Sequence, residues 1–146
     1  MTWHPRKRVL VPVDFSEPTA RAIQTAREFV EQDGDVHVLY VLTPLDNTSP
    51  GVLLGSVDDE SRTEAAQKYV DEFLSSHQVE GATTVIRIGD PGLTIADYVA
   101  SEDVDLIVMP SHGRHGISRI LLGSVAERVL RHAECPVLVL RCEQSD

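Results

Sequence analysis

Five short apolar runs, separated by segments with helical spacing, constrain this chain more than any other feature. They are "RVLVPVD" (8–14), "VHVLYVL" (36–42), "TTVIRIG" (83–89), "VDLIVMP" (104–110) and "CPVLVLR" (135–141). Each is nearly continuous in apolar and β-branched residues, without the alternation of a half-exposed strand. Such runs suit strands covered on both faces, as in a parallel sheet. Between the first two, Ala22, Ile23, Ala26, Phe29 and Val30 recur at helical spacing within 15–32. Ser16 is placed to cap that helix, Pro18 is tolerated in its first turn, and "DGD" at 33–35 ends it. A second helix is predicted over Asp59–Ser76, with Ala65, Ala66, Tyr69, Val70, Phe73 and Leu74 as its inner face. "DPGLTIADYVASE" and "SVAERVLRHAE" read as two shorter helices, and 43–56 reads as a loop rich in Pro, Gly, Asn and Ser. Strands alternating with helices imply parallel pairing through right-handed crossovers. The expected fold is a doubly wound α/β domain with helices on both faces.

At 146 residues the chain is long enough for one domain with a substantial core, spanning 1–146. Its net charge of −10 argues against general binding to DNA or RNA, which needs a basic face, and against docking on anionic lipid. No apolar run reaches the length of a membrane span. The opening "MTWHPRKRVLVPVDF" is basic and then apolar, but its apolar stretch is too short for a secretion signal and is cut by Asp14. A cytoplasmic location is expected. Cys135 and Cys142 form no CxxC or zinc pattern and read as free thiols, Cys135 as a small buried residue before the last strand.

In doubly wound sheets ligands bind beyond the carboxyl ends of the strands, where the strand order reverses. Asp14 and Phe15, the residues from Val41 to Pro44, Gly89 and Asp90, and the stretch "MPSHGRHGISRILLGS" (109–124) therefore matter most. Asp14 also suits a capping or turn role for the first helix. In "GSVAE", Ser124 with Glu127 three residues later matches a capping box. A helix beginning there directs backbone N–H groups and the positive end of its dipole at whatever lies before it, which favours phosphate. Gly123 permits close approach of a ligand, and Gly113 can take conformations closed to other residues. Between Pro110 and His132 stand four arginines (Arg114, Arg119, Arg128, Arg131) against one acid, Glu127, a local reversal in an acidic chain. Arg128 and Arg131 are also explained by the C-terminal end of a helix dipole. No P-loop, GxGxxG or GxSxG pattern is present. His112 and His115 lack a third ligand close in sequence and read as loop or phosphate-side residues rather than a metal site.

With these residues assembled, the chain resembles the universal stress protein family (UspA-like) over nearly its full length. The likeness rests on "VLVPVDFSEPTARAI", on "RIGDP", and above all on "DLIVMPSHGRHGISRILLGSVAERVLRHAECPVLVLR". The nucleotide-binding branch of that family carries Gly, two residues, Gly, nine residues, then Gly followed by Ser or Thr. Here Gly113, nine residues and Gly123-Ser124 match, while Pro110 replaces the first Gly. The resemblance implies a Rossmann-like fold of the adenine nucleotide alpha hydrolase kind, a five-stranded parallel sheet in order 3-2-1-4-5. ATP or AMP would lie between the first and fourth strands. By position, Pro12, Val13 and Asp14 would lie on the ribose or metal side, with Asp14 near the Mg²⁺ of a bound nucleotide, and Val41 beside adenine. Gly89, Met109 and Pro110 would wall the pocket, and Gly113, Arg114, Gly123, Ser124 and Val125 would face ribose and phosphates. Family members commonly pair through the last strand, and Pro136 to Arg141 would be an apolar edge, the kind that is usually covered.

Proline has no N–H, so if the family's glycine donates to the ligand at that point, one bond is lost, at about 0.5–1.5 kcal/mol or roughly tenfold in affinity. The resulting expectation is a non-enzymatic, ATP- or AMP-binding stress-response regulator that acts as a homodimer. A nucleotide-free dimeric interaction module and a slow ATPase are the alternatives.

Overall fold

The computed structural model describes residues 3–14, 17–32, 35–45, 55, 58–111 and 122–141. Within them the order is β1 (Val9–Pro12), α1 (Glu17–Arg27), β2 (Val36–Leu42), α2 (Asp59–Ser76), β3 (Thr83–Ile88), α3 (Pro91–Ser101), β4 (Leu106–Pro110), α4 (Ser124–His132) and β5 (Val137–Leu140). The sheet is parallel throughout and ordered β3-β2-β1-β4-β5. The doubly wound α/β fold and the order implied by the resemblance are both present. Crossovers running outward from β1 to β3 place α1 and α2 on one face, and those leading to β4 and β5 place α3 and α4 on the other.

The period of two along each strand divides the core accordingly. Val9, Val11, Val36, Val38, Leu106 and Val108 pack against Ala22, Ile23 and Ala26 of α1 and Val70 and Leu74 of α2. Leu10, Leu39, Ile107 and Met109 pack against Ile95, Tyr98 and Val99 of α3 and Ala126 and Val129 of α4. Both faces of the central strands are covered, which is why the sequence shows continuous apolar runs there.

Several boundaries differ from the sequence reading. α1 ends at Arg27, not near Gln32: the amides of Glu28 and Phe29 turn back onto Thr25 and Ala26. Phe29 and Val30 still pack on the first core cluster, so their helical spacing reported burial, not helix. Within α2 only Ala66, Val70 and Leu74 are buried, and Tyr69 is 64% exposed. This helix covers β3, an edge strand that is itself partly open, so a narrower stripe suffices. Asp58 closes α2 with a capping box, its carboxylate accepting from the Ser61 amide at 2.7 Å. Ser16 and most of the 43–56 loop lie outside the described residues.

Candidate functional site

Parallel pairing brings the carboxyl ends of the strands to one rim. On that rim the β1–β2 register runs through Pro12↔Leu39, and the Val13 amide continues it onto the Leu39 carbonyl at 2.9 Å. On the other side of β1, the register with β4 holds only Val9↔Leu106 and Leu10↔Ile107. Beyond that pair the two strands part. Pro12, Val13 and Asp14 form one lip of the resulting crevice, and Met109 and Pro110 form the other. This is where the strand order reverses, the position at which such sheets bind ligands.

Pro110 sits in an inner strand, where proline is rare. The hydrogen bonds explain it. In a parallel strand successive residues face alternate neighbours. Ile107 donates to the Pro136 carbonyl and Ser111 to the Leu140 carbonyl, so odd-numbered residues here face β5. The Pro110 nitrogen therefore faces β1, on the side where the ladder has already ended. The missing N–H costs the sheet no bond, but it removes one donor from the crevice.

Asp14 is half-buried, and its Oδ1 accepts the hydroxyl of the fully buried Thr19 at 2.8 Å. It precedes α1 by three residues. Val41 is half-buried and packs on the core cluster under α3 and α4. Arg62 secures the chain just beyond β2, donating from Nη2 to the Thr43 carbonyl at 2.7 Å. Gly89 follows β3, its amide on the Leu42 carbonyl at 2.8 Å. A Cβ on Gly89 would lie 2.4 Å from the Thr94 hydroxyl, so a side chain there would have to displace that hydroxyl.

After Ser111 the chain passes out of the described residues, and Gly113, Arg114, His112, His115 and Arg119 fall there. It is described again at Leu122, and the Gly123 amide donates to the Ser111 carbonyl at 2.8 Å. The end of β4 and the start of α4 are thus tied together, with Gly123, Ser124 and Val125 at the β4 side of the crevice. The capping box expected of Ser124 and Glu127 is not formed. Gly123 is the cap: its backbone is extended (φ −62°, ψ 158°) and its carbonyl accepts the Glu127 amide. Ser124 is already helical, so its hydroxyl does not take the cap's place, and Glu127 instead accepts from Arg131 Nη2 at 3.0 Å. Glycine brings no side-chain acceptor, so the cap does not compete with an anion for the first-turn amides.

The arginines also stand differently. Arg128 is in the middle of α4, not at its end, and its Nη1 donates to Asp90 Oδ2. Asp90 caps α3, its Oδ1 accepting the Leu93 amide at 3.0 Å. That amide, and then the Arg128 guanidinium, hold the Asp90 carboxyl below the usual carboxylate range. Both described arginines of α4 are therefore matched by acids. No sequence motif announces the Asp90–Arg128 pair, whose members are 38 residues apart. Among the described residues no group of three His, Cys, Asp or Glu side chains could hold a metal ion. No helix among them is long and apolar enough to cross a membrane.

A parallel sheet in this order, with its switch point between the first and fourth strands and a glycine-capped helix beside it, defines a class of small doubly wound α/β domains. Within that class, the model of the universal stress protein family matches residues 5–141, and the chain belongs to that family. Universal stress protein MJ0531 of Methanocaldococcus jannaschii is 35% identical over 92% of this chain and 82% of its own length. The solved structure of MJ0577 from the same organism is 29% identical, with a TM-score of 0.78 over 97% of this chain and 99% of that one. An Arabidopsis thaliana universal stress protein with AMP bound shares the fold at 22% identity, with a TM-score of 0.59 over 94% and 92% of the two chains.

Proposed function

We propose that the crevice between β1 and β4 binds an adenine nucleotide, ATP or AMP, and that the protein is a non-enzymatic stress-response regulator acting as a homodimer in the cytoplasm. The observation that carries this reading is the end of the β1–β4 ladder at Leu10↔Ile107, directly beneath Asp14 and beside the glycine-capped start of α4. The AMP in the Arabidopsis relative supports it. Pro12 and Val13 flank the sugar, Val41 the base, and Gly123, Ser124 and Val125 the phosphates, with Gly113 and Arg114 joining them from beyond Ser111. Gly89 and Met109 complete the walls. The Asp14 carboxylate, oriented by Thr19, would hold Mg²⁺ arriving with the nucleotide.

Isothermal calorimetry with ATP and with AMP, with and without Mg²⁺, tests the reading, alongside mass spectrometry of small molecules released on denaturation. Saturable heat and a rise in melting temperature are expected. No heat and no thermal shift at millimolar nucleotide would sink it. Phosphate release at enzymatic rates, abolished by Asp14→Ala, would replace the regulator with an ATPase.

One observation favours a second reading, a dimeric interaction module without nucleotide: Pro110 removes a backbone donor on the crevice side. Pro110→Gly would then bind ATP where the wild type does not. Equal affinities in the two proteins exclude that reading.

The dimer is assigned to β5, an apolar strand pairing β4 through Ile107↔Val137 to Pro110↔Leu140 and forming one end of the sheet. A lysine at Val139 should convert the dimer mass in analytical ultracentrifugation to that of a monomer. A wild-type monomer mass excludes the assignment.

A further inference from the structure

The start of α4 is held from a direction that the crevice itself does not reveal. Asp90 serves two helices at once, its Oδ1 on the Leu93 amide of α3 and its Oδ2 on Arg128 of α4. Two residues on, Gly92 is buried against the stem of the same arginine: a Cβ there would lie 2.5 Å from the Arg128 Cβ and 2.9 Å from its Cδ. Arg128 is one turn beyond Ser124. The charge pair and the glycine seat therefore fix α4 to α3 within a turn of the amides assigned to phosphate. Asp90 is itself pinned to the sheet, since the adjacent Gly89 amide bonds the Leu42 carbonyl. The pairing has an electrostatic consequence as well. An N-cap carboxylate on this rim would repel an anionic ligand, and the Arg128 guanidinium cancels it.

We infer that Asp90, Gly92 and Arg128 form a clamp that positions the first turn of α4 and sets the affinity for the phosphate part of the nucleotide, without touching the ligand. The inference rests on the nucleotide reading above, and its test separates the two. Affinities for ATP and for adenosine are measured by calorimetry in the wild type, Arg128→Gln, Arg128→Lys, Asp90→Asn and Gly92→Ala. Amide hydrogen exchange is followed in the same proteins at Ser124, Val125 and Ala126. Arg128→Gln and Asp90→Asn should weaken ATP about fivefold, the scale of one exposed ion pair, and leave adenosine unchanged. Arg128→Lys should restore most of the loss. The three amides should exchange about fivefold faster in the weakened variants, because local opening at the helix start becomes easier. Gly92→Ala should show a larger loss of ATP affinity, and if it fails to fold, the exposed Arg128 and Asp90 variants still decide. Parallel losses of ATP and adenosine, or unchanged exchange, overturn the clamp. A wild type that binds no ATP overturns the nucleotide reading and the phosphate role with it; faster exchange in the variants then upholds only the positioning of α4.

Discussion

The two rims of the sheet are built on opposite principles. At the amino-terminal rim, the chain entering β1 is bonded to the start of β4. Asp105 accepts the Lys7 and Arg8 amides at 3.0 and 3.2 Å, and its own amide returns to the Arg8 carbonyl. Arg6 Nη1 donates to the Asp105 carbonyl, and Arg8 Nη1 to the Glu102 carbonyl at the end of α3. His37 meets the Tyr98 hydroxyl at 2.6 Å, joining β2 to α3. Half-buried Cys135 completes this rim, its thiol pushed up to about 11 by burial first and by Asp105 second. At the carboxyl-terminal rim the register between β1 and β4 stops at Leu10↔Ile107, and the Gly123–Ser111 and Gly89–Leu42 bonds join neighbouring elements on either side of the gap. Among the described residues one end of the sheet is tied across β1 and β4, while the other is the end proposed above to take the nucleotide.

The sharpest way to break that contrast is to weaken the last rung joining β1 to β4. Ile107 is fully buried there, and Ile107→Ala should cost about 2–5 kcal/mol in urea unfolding. Next, Asp105→Ala leaves two backbone amides without their acceptor and should cost about 1–3 kcal/mol, with ATP affinity unchanged. A parallel fall in affinity would show that the rims are not independent. Asp14→Ala should show the reverse pattern: about tenfold weaker binding of Mg-ATP in calorimetry, with at most about 1 kcal/mol of stability lost through Thr19. The smallest effect concerns pH. Burial first, and the nearby Arg8 cation second, lower the His37 pKa, so the folded protein resists protonation there. The unfolded chain takes up that proton near pH 6.5. The contribution of His37 is therefore neutral above about pH 6.5 and destabilising as pH falls through that value toward the lower folded pKa. Melting temperature should drop less between pH 7 and 5 in His37→Gln than in the wild type. Identical slopes would remove His37 from the account.

Much of the fold was legible because burial on both faces writes itself into composition. The inner strands β1 and β4 are apolar through their length, and α2 spans the residues where periodicity places it, from Asp59 to Ser76. What stayed hidden depended on geometry that periodicity does not encode. Tyr69 shares the spacing of Val70 and Phe73, and only the open edge of β3 decides that it faces solvent. Gly123 and Ser124 are both acceptable caps, and the choice is made by the bond that draws Gly123 to Ser111. Arg128 reads as a dipole residue until α3 is packed beside it with Asp90 at its start. His37 carried a signal that was available, a lone polar side chain inside an apolar strand, but its partner Tyr98 lies 61 residues away.

The bond between Ser111 and Gly123 has a further implication. The described chain breaks off after Ser111 and resumes at Leu122, and one backbone bond holds the two ends together. The free energy of closing such a span changes slowly with its length, by about 0.6 kcal/mol per doubling. A change in the length of the interval between the two ends is therefore a small term in the stability of the fold. An engineer can lengthen that interval and should lose little stability, provided the residues assigned to phosphate are kept.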